Sequence, residues 1–527
     1  MAGGNSLLLV TTDPIALLAP PGPALLARLA QAHEAGTSGL ALAERLRREY
    51  PADLVAAAMA QQELRVAARA KFSRAADMLF TRAGYEQASS EAVATYRAAR
   101  LRGAARIADL CCGIGGDLTA LAAAADVLAV DRDALHARLA RHNAAVYGRA
   151  DRVTALVADV RDVALAGVDA VFIDPARRAG PGTASAGTAR RFRAGESEPP
   201  LDWCAALAAQ VPAVCVKAAP GLPVEAVPPG WEAEFIAEAR DLKEAVLWSP
   251  ALATAPAPLT GPRRATVLLG PPAGGPDAAN FVTLTARPGD PVAVTEPGEY
   301  LLDPNPAVTR ASLVEDLARE LGGAAKIDPR IAFLTLDRDV RTPFARTLRV
   351  LESAPWNEKQ FARRLRELDI GAVDIRRRGL AGDVDQIRRR LKLAGRRRAT
   401  VVITRVSDKP WGLICIDPDL PAAAPASPGP AQPIPPVPCA QPSRSMHPRT
   451  YAACPTCCMS SSITETSRTP SVTGGVHRVS TTRSRSAPVT WDTSLTVCAC
   501  TASWYSCSSR ASAVAEAKIA TSWPECP

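Results

Sequence analysis

The stretch Ile107–Ala122, IADLCCGIGGDLTALA, joins a short apolar run to a helix-like pattern through two cysteines and three glycines. The residues before the loop have the length of a β-strand, and the leucines and alanines after it have helical spacing. A glycine-rich turn between a first strand and a first helix lets the polar groups of a ligand approach the backbone. We therefore interpret this loop as a ligand-binding turn at the end of a strand.

The adjacent cysteines of the loop have two interpretations, a redox role or simple packing. Cysteine is among the most buried residue types and behaves as a small apolar side chain. We therefore expect Cys111 and Cys112 to be fillers beneath the loop, with a redox role as the alternative. We expect Gly113 and Gly115 to allow the tight turn and a close approach, because a Cβ at either site would fill the space of the ligand.

Two acidic residues end later strand-sized runs and extend this interpretation. Asp131 ends DVLAVD about twenty residues after the glycines, where a carboxylate can accept hydrogen bonds from both hydroxyls of a ribose. Asp159 closes VTALVAD, where it could accept a hydrogen bond from the amino group of adenine. Together, the glycine turn and the two acids predict a site for an adenosine-containing cofactor.

From residue 105 onward, short apolar runs alternate with helical stretches. The strand-sized runs are ARIADL, DVLAVD, VTALVAD, DAVFIDP and AVCVKA, and the early helical stretches are GDLTALAAAA and RDALHARLARHNAAVYG. This alternation is typical of an α/β fold with a parallel sheet covered on both faces. Three later runs, EAEFIAEA, EAVLWSP and RATVLLG, have no long helices between them and predict an antiparallel sheet edge.

The same patterns divide the 527 residues into four parts. Residues 1–100 carry apolar residues at three- and four-residue spacing, which predicts a helical N-terminal domain. Residues 101–275 form the α/β part, and residues 297–416 mix helical and strand-sized runs as a small α+β domain does. Residues 420–527 begin as a proline-rich linker and continue without apolar periodicity, which predicts a disordered tail.

The predicted tail also holds most of the cysteines. Eight of the 13 lie there: Cys439, Cys454, Cys457, Cys458, Cys498, Cys500, Cys507 and Cys526. The motifs CPTCC and CAC raise the alternative of a zinc site, but no second CxxC pair and no histidine stands at a ligand spacing. We therefore predict no metal site. The tail resembles no part of the preceding chain, which raises the hypothesis that it is translated out of frame.

Positive charge is concentrated in one segment of the chain. The formal net charge is +9, whereas Arg341–Arg405 alone holds 18 Lys and Arg against 7 Asp and Glu. Three arginine triplets fall there: Arg376, Arg377 and Arg378, then Arg388, Arg389 and Arg390, then Arg396, Arg397 and Arg398. Such density suits a phosphate backbone, with binding that weakens as salt rises. A solvated charged face is the alternative.

The apolar runs are too short for a membrane span, because no stretch of 18 uncharged apolar residues occurs. The first twenty residues lack a basic region before a short, broken apolar stretch, so they make a poor signal peptide. These patterns predict a cytoplasmic protein that does not contact a membrane.

Four motifs, DLCCGIGG, VDRD, VADV and FIDPARR, resemble motifs one to four of the class I S-adenosylmethionine-dependent methyltransferases. The resemblance implies a Rossmann-like sheet, S-adenosyl-L-methionine as cofactor, and cofactor-binding roles for Asp109, Cys111, Gly113, Gly115, Asp131 and Asp159. Cys111 departs from the first glycine of the DxGxGxG motif. Members with a DxFCGxGG-type loop share that departure.

Two further segments resemble the branch of cap trimethylguanosine synthases: HNAAVYGRADRV at residues 142–153 and LFTRAGYEQASSEAVATYRA at residues 79–98. Over its length the chain is similar to bacterial methyltransferases with a C-terminal THUMP-like domain. GEYLLDPNPAVTRASLV, IRRRG and LKLAGRRRATVVITRV carry that similarity. THUMP-like modules in related enzymes present RNA to a catalytic domain, so the resemblance implies RNA as partner, bound by the three arginine triplets.

The DPAR motif, Asp174–Arg177, ends the fourth strand-sized run and is expected to face the methyl group of the cofactor. Amino-methylating enzymes of this class carry a related D/N/S-P-P-aromatic motif, whose side chain and carbonyl accept hydrogen bonds from the exocyclic amine. Asp174 and the Pro175 carbonyl could supply these contacts. The stacking aromatic is missing, so we expect Arg177 or Arg178 to stack on a base or to hold a phosphate.

These resemblances favour a methyltransferase that acts on an amino group of an RNA base, with guanine N2 first. Methyl transfer to an amine depends mostly on positioning, which suits the sparse chemistry of DPAR. Two alternatives stay open. One is the methylation of a small molecule or a protein with the same cofactor, and the other is an RNA-binding protein without catalytic turnover.

Overall fold

The computed structural model describes residues 13–37, 39–177, 197–254, 263–270 and 280–418. The predicted tail and Arg178 lie outside these residues. The strands are β1 Arg106–Leu110, β2 Asp126–Asp131, β3 Val153–Val157, β4 Ala170–Ile173, β5 Ala176–Arg177, β6 Ser197–Glu198, β7 Ala213–Ala218, β8 Glu232–Glu238, β9 Asp241–Trp248, β10 Arg263–Leu268, β11 Phe281–Thr285, β12 Tyr300–Pro304, β13 Ala325–Lys326, β14 Leu334–Leu336, β15 Ala345–Pro355, β16 Ile370–Arg377, β17 Arg397–Val406 and β18 Lys409–Ile416.

The α-helices of the described residues lie mostly in the first half of the chain. They are α1 Gly22–Glu34, α2 Gly39–Leu46, α3 Ala52–Ala68, α4 Arg82–Gln87, α5 Glu91–Arg100, α6 Leu118–Leu121, α7 Ala134–Val146, α8 Leu201–Ala206, α9 Pro306–Arg310, α10 Val314–Leu321, α11 Glu358–Glu367 and α12 Val384–Leu391. Among the described residues, no helix is both long and apolar enough to cross a membrane.

Among the described residues, the first sheet has nine strands in the order β11-β10-β8-β9-β7-β4-β1-β2-β3. Strands β3, β2, β1, β4 and β7 are parallel, which confirms the α/β fold that the alternating pattern predicts. The expected antiparallel edge is only partly right. Strand β9 is antiparallel to both neighbours, but β10 lies beside β8 and runs parallel to it, so only β11 forms an antiparallel edge.

Alternate residues of the strands pack on the two faces of this sheet, as the period of two requires. On one face, Ile107 and its neighbours pack with residues of α5, α6 and α7. On the other face, Ala108 and its neighbours pack with Cys204 of α8 and with Val308 of α9. Both β11 and α9 lie beyond residue 275, the expected end of the α/β part. They nevertheless belong to the first sheet and its covering helices, because their apolar side chains complete its core.

The second sheet, in the part of the chain that the structure describes, has seven strands in the order β13-β14-β12-β15-β18-β17-β16. Only β16 and β17 are parallel neighbours among its described pairs, and α12 connects them. Phe361 and Leu365 of α11 pack with Ile387 and Leu391 of α12 over this end of the sheet. This is the small α+β unit expected from the sequence, and it places the basic segment at an edge of its sheet.

The N-terminal helices form a cluster of their own and then join the first sheet. Leu25, Leu46 and Val55 pack α1, α2 and α3 against one another. The chain after α3 forms a second cluster, in which Phe72 and Phe80 contact Ile114 of the glycine loop. The end of the expected N-terminal helical segment therefore packs against the loop that follows β1.

Candidate active site

The glycine loop after β1 has the backbone of a tight turn. Cys111, Gly113 and Gly115 all have positive φ values, of 63°, 53° and 83°. A Cβ at Gly113 would meet no described atom within 4 Å, whereas one at Gly115 would lie 2.9 Å from the Cα of Ala140 in α7. Gly115 is therefore required by the packing of the loop against α7, and the expectation that a ligand also needs this space stays a prediction.

The two cysteines lie beneath the loop with buried or partly buried thiols. The backbone N–H of Cys112 donates to the Val130 carbonyl at 3.0 Å, which joins the loop to the end of β2. Burial raises the pKa of both thiols well above the usual range, so neither is a ready thiolate. Their surroundings suit packing better than redox chemistry.

Asp131, at the carboxyl end of β2, is held by the loop itself. Its Oδ2 accepts the Gly113 N–H at 2.9 Å and its Oδ1 accepts the Asp133 N–H at 2.9 Å. His136 lies 3.8 Å from Oδ1. Burial alone would raise the pKa of Asp131, but the nearby His136 and the hydrogen bonds from the two backbone N–H groups outweigh it and lower the pKa. The carboxylate is thus ionised, oriented, and left with lone pairs for further donors.

Asp109 lies within β1 and is fully buried. Neither of its carboxyl oxygens has a hydrogen-bond partner among the described residues. Burial, with the nearby carboxylates of Asp117 and Asp174, raises its pKa well above the usual range. Burial therefore favours the neutral acid at Asp109, and within the described part of the chain no protein group satisfies its two oxygens.

Asp159 follows β3, as expected, but its carboxylate already has partners. Oδ1 accepts the Arg161 N–H at 2.9 Å, and Oδ2 lies 3.2 Å from the Arg161 guanidinium. Arg161 also pairs with Glu198. Two-fifths of the Asp159 side chain is exposed, so this residue lies on the solvent side of the carboxyl edge of the sheet.

Asp174 follows β4, next to the loop after β1, and its N–H donates to the Leu110 carbonyl at 3.2 Å. Its Oδ2 accepts a hydrogen bond from Lys217 Nζ at 2.6 Å. Lys217 lies near the end of β7, where it is largely buried. Burial would lower the pKa of Lys217, but Asp174 and Asp117 outweigh it and raise the pKa, so the amine stays charged.

The rest of the DPAR motif turns away from the first sheet. Ala176 and Arg177 form β5, which pairs only with β6 among the described strands. Pro175 is half-buried between Asp174 and this ladder. Stacking or phosphate contact by Arg177 stays a prediction.

A buried network of ion pairs contacts Lys217 and was not predicted from the sequence. Arg97 of α5 pairs with Asp117 at the start of α6 and lies 2.7 Å from Glu244 of β9. Lys217 Nζ is 4.0 Å from the other Asp117 oxygen. Arg97 also lies over the Phe172 ring, 4.8 Å from its centroid. The network therefore fixes the helical segment, the glycine loop and Lys217 as one unit.

Residues 79–90, part of the segment similar to trimethylguanosine synthases, form a wall over the glycine loop. A Cβ at Gly84 would lie 2.3 Å from Ile114, so loop and wall are in direct contact. The Gln87 carbonyl accepts from Lys217 Nζ at 3.4 Å, and Thr81 Oγ1 lies 3.5 Å from His136. This wall therefore contacts the partners of both Asp131 and Asp174.

Asn143 of α7 joins the wall to the loop. Its Oδ1 accepts the Leu79 N–H at 2.9 Å, and its Nδ2 donates to the carbonyls of Leu79 at 3.0 Å and Ile114 at 2.8 Å. The side chain is fully buried. A polar residue in the middle of an apolar helix face was the sequence signal for this role.

We expect Asn143→Ala to lower the free energy of unfolding by about 2–4 kcal/mol, because it leaves one N–H and two carbonyls buried without partners. Arg141→Ala, an exposed change on the same helix, should alter it by less than about 0.5 kcal/mol. Urea unfolding of the two variants provides the comparison, and equal midpoints would contradict this role.

The nine arginines of the basic segment do not form one patch. Arg376 and Arg377 end β16, whereas Arg397 and Arg398 begin β17, and the two strands are parallel. The two sets are therefore separated by roughly 20 Å along the strands. Arg388, Arg389 and Arg390 lie in the last turn of α12. The chain then continues through Arg396 into the start of β17. The triplets at positions 388–390 and 396–398 share one end of the sheet, and Arg376–Arg378 lie at the other.

Several of these arginines also have protein partners. Arg378 donates to Asp303 and to the Ala332 carbonyl, each at 2.8 Å, and stacks over Phe333. Arg390 lies 2.9 Å from Glu358. Arg396 is 88 % exposed despite its contact with Asp369. Arg378 is therefore a structural residue, whereas Arg396 can exchange its partner for a phosphate.

The fold and this site define a class of protein: a parallel sheet with a glycine turn after its first strand and acids at the carboxyl ends of β2 and β4. Residues 104–281 match the family described as RNA cap guanine-N2 methyltransferase, and residues 345–416 match a THUMP domain-like family. Residues 12–68 match a domain of unknown function.

Two relatives and one crystal structure are similar over most of their length. Two S-adenosylmethionine-dependent methyltransferases from Mycobacterium tuberculosis strains, both described as uncharacterised, are each 36% identical over 337 residues, 62% of this chain and 85% of theirs. A candidate methyltransferase from Porphyromonas gingivalis W83 has a TM-score of 0.59 at 20% identity, over 75% of this chain and 98% of its own. The chain belongs to the S-adenosylmethionine-dependent methyltransferases.

Proposed function

We propose that this enzyme methylates RNA at an amino group of a base, with guanine N2 as the favoured acceptor. The observation that carries the proposal is Asp174, which stands after β4 with one oxygen fixed by the Lys217 amine at 2.6 Å. The description of the family that matches residues 104–281 supports guanine N2 in particular.

The residues at the edge of the first sheet fit S-adenosylmethionine. Asp131 has an ionised carboxylate whose remaining lone pairs can accept hydrogen bonds from ribose hydroxyls. At Gly113, a Cβ would meet no atom of the described residues within 4 Å, so the backbone there is open to a ligand. Asp109 supplies a neutral acid beneath them. Asp159, Cys111 and Gly115 would also contact the cofactor or support the residues that contact it. The bound cofactor supplies an electrophilic methyl group.

Asp174 is suited to align an exocyclic amine for this methyl group. Lys217 occupies Oδ2, and no described residue donates to Oδ1, so Oδ1 can accept an N–H of the base. That hydrogen bond turns the nitrogen lone pair toward the methyl group, and positioning of this kind accounts for most of the catalysis that an amine needs. The Pro175 carbonyl is the second acceptor in this proposal.

Lys217 does not act as the base in this reaction. Its amine is charged, because Asp174 and Asp117 keep its pKa raised. In this proposal, Asp174 stabilises the positive charge that develops on the attacking nitrogen and can accept the proton that the nitrogen releases.

RNA as the substrate class rests on the basic segment and the THUMP-like match at residues 345–416. The exposed arginines at positions 388–390 and 396–398 give one end of the second sheet a dense positive charge. Such a surface attracts a phosphate backbone and releases counterions on binding.

We expect joint replacement of Arg388, Arg389 and Arg390 by Gln to weaken RNA binding at least tenfold at 50 mM salt. The slope of log affinity against log salt should fall by roughly one for each lost phosphate contact. S-adenosylmethionine affinity should be unchanged. Fluorescence anisotropy with single-stranded RNA measures the first two quantities, and an unchanged slope would count against this surface.

Incorporation of tritiated methyl into separate RNA, protein and metabolite fractions tests the substrate class. We expect label in RNA. Label in protein or metabolites instead would favour the first alternative, and cofactor binding without any incorporation would favour an RNA-binding protein without turnover.

A further inference from the structure

A cavity of about 310 Å³ lies where the second sheet meets the edge of the first, lined by Asp303, Ile375, Arg376, Arg377, Arg378 and Val384. It stands at the carboxyl end of β16 and beside the first residue of α12. Ligands of parallel strand–helix units bind at this end of the strands. The volume is at the lower limit of ligand pockets and exceeds what one phosphate group needs.

The charges around this cavity do not balance. Each oxygen of Asp303 contacts one arginine. Oδ1 lies 2.8 Å from Arg378, and Oδ2 lies 3.3 Å from Arg240, which is in the turn between β8 and β9. Arg376 and Arg346 share Asp374, and Arg346 also pairs with Asp417. The arginines near the cavity therefore outnumber these acids.

Arg377 adds a charge that has no acidic partner among the described residues. Its Nη1 is buried without a hydrogen-bond partner among the described residues. A Cβ at Gly382, in the loop between β16 and α12, would lie 3.4 Å from this nitrogen. A buried guanidinium N–H without an acceptor is unfavourable, and an anion nearby relieves that cost electrostatically.

Arg240 shows the same excess. Burial lowers the pKa of its guanidinium, and the neighbouring charges of Arg346, Arg376 and Arg378 lower it further, against the attraction of Asp303. Burial is the largest cause of this lowering, and the three neighbouring guanidinium groups add to it. The amides at the start of α12 do not share this role, because Asp383 caps those of Asp385 and Gln386.

We propose that this cavity binds a phosphate group of the RNA substrate, away from the base that is methylated. The proposal rests on RNA being the substrate. Arg376 and Arg377 are the binding residues, and Arg240 and Arg378 position Asp303 and supply further positive charge.

The position of the cavity explains how it would act. Arg240 follows β8, whose carboxyl end lies on the same edge of the first sheet as that of β4. Strand spacing and rise put it on the order of 20 Å from Asp174. A strand of RNA held by one phosphate at the cavity could thus reach the site with a base several nucleotides away.

Two probes test the pocket in the full chain. Inorganic pyrophosphate should raise the Tm of the wild type, since a ligand that binds only the folded state stabilises it. Arg376→Gln and Arg377→Gln should each reduce that rise at least threefold. Each should also weaken binding of a single-stranded 20-nucleotide RNA about tenfold and lower the salt slope by about one. Arg363→Gln removes an exposed arginine of α11 in the same sheet unit and should change neither quantity.

The outcomes separate the pocket from the proposed function. Pyrophosphate and RNA binding equal to wild type in both folded pocket variants would overturn the pocket. Loss of the pyrophosphate effect with unchanged RNA binding would assign the pocket to a free phosphate and overturn the RNA part. Weakened RNA binding without any methyl incorporation into RNA by the wild type would leave the pocket standing and remove the proposed function. Arg376 is largely exposed, so its variant stays informative if Arg377→Gln does not fold.

Discussion

Asp174→Ala is expected to lower kcat for methyl transfer to RNA by about 10²–10³, the loss that follows when one positioned polar group is removed from a reacting centre. The variant removes the acceptor that aligns the amine and also leaves Lys217 without its closest partner. Affinities for RNA and for S-adenosylmethionine should stay within about threefold of wild type, because phosphate contacts elsewhere supply most of the RNA affinity and the proposed cofactor contacts lie at Asp131 and the glycine loop.

Asp174→Asn is the matched variant for this experiment. Asparagine keeps one carbonyl oxygen that can accept the N–H of the base, but it loses the charge that pairs with Lys217. We expect a smaller loss of kcat than for alanine, about tenfold. Single-turnover kinetics with tritiated cofactor separate this effect from binding. Equal rates for wild type and Asp174→Ala would remove Asp174 from the reaction.

Asp131→Ala is expected to weaken S-adenosylmethionine binding by about 1–3 kcal/mol, or roughly 5- to 150-fold in Kd. The carboxylate would lose its ribose hydrogen bonds, and the Gly113 N–H would lose the acceptor that shapes the loop. Isothermal titration calorimetry measures the change in Kd.

Asp126→Ala supplies the control for Asp131. Asp126 begins the same strand, at its opposite and exposed end, so the charge change is equal but lies far from the loop. Its affinity for the cofactor should match that of the wild type. An unchanged Kd for a folded Asp131→Ala variant would take Asp131 out of the cofactor site.

The local parts of the site could be predicted from the sequence. Strand-sized apolar runs that end in Asp131, Asp159 and Asp174 place these acids at one edge of the sheet, because parallel strands share their carboxyl edge. The glycine turn was equally local, since a positive φ at Gly113 is a property of the turn itself. Periodicity and turn chemistry act over a few residues, and the sequence displays both.

Contacts between distant segments could not be predicted in the same way. Lys217 pairs with Asp174 only because β7 lies next to β4 in the sheet. Gly115 is required by Ala140, a contact that depends on how α7 crosses the loop. In the sequence, Arg97 looks like an ordinary helix residue. Its ion pair with Glu244 forms only because α5 packs on the sheet that contains β9.

The basic segment shows the opposite case, in which closeness in sequence misleads. The arginine triplets lie within a short stretch of chain, yet a parallel crossover through α12 sends Arg376 and Arg397 to opposite ends of two strands. The apparent single patch is therefore two, one on an exposed end of the sheet and one at the cavity beside Asp303.

The most direct test of base-amino methylation uses RNA from a strain that lacks the gene. This RNA is incubated with the purified enzyme and S-adenosylmethionine carrying a deuterated methyl group, then digested to nucleosides for mass spectrometry. We predict the label on an exocyclic nitrogen, with N2-methylguanosine as the product, and its loss with Asp174→Ala. Label on a ribose oxygen or a base carbon would contradict the amino-transfer account.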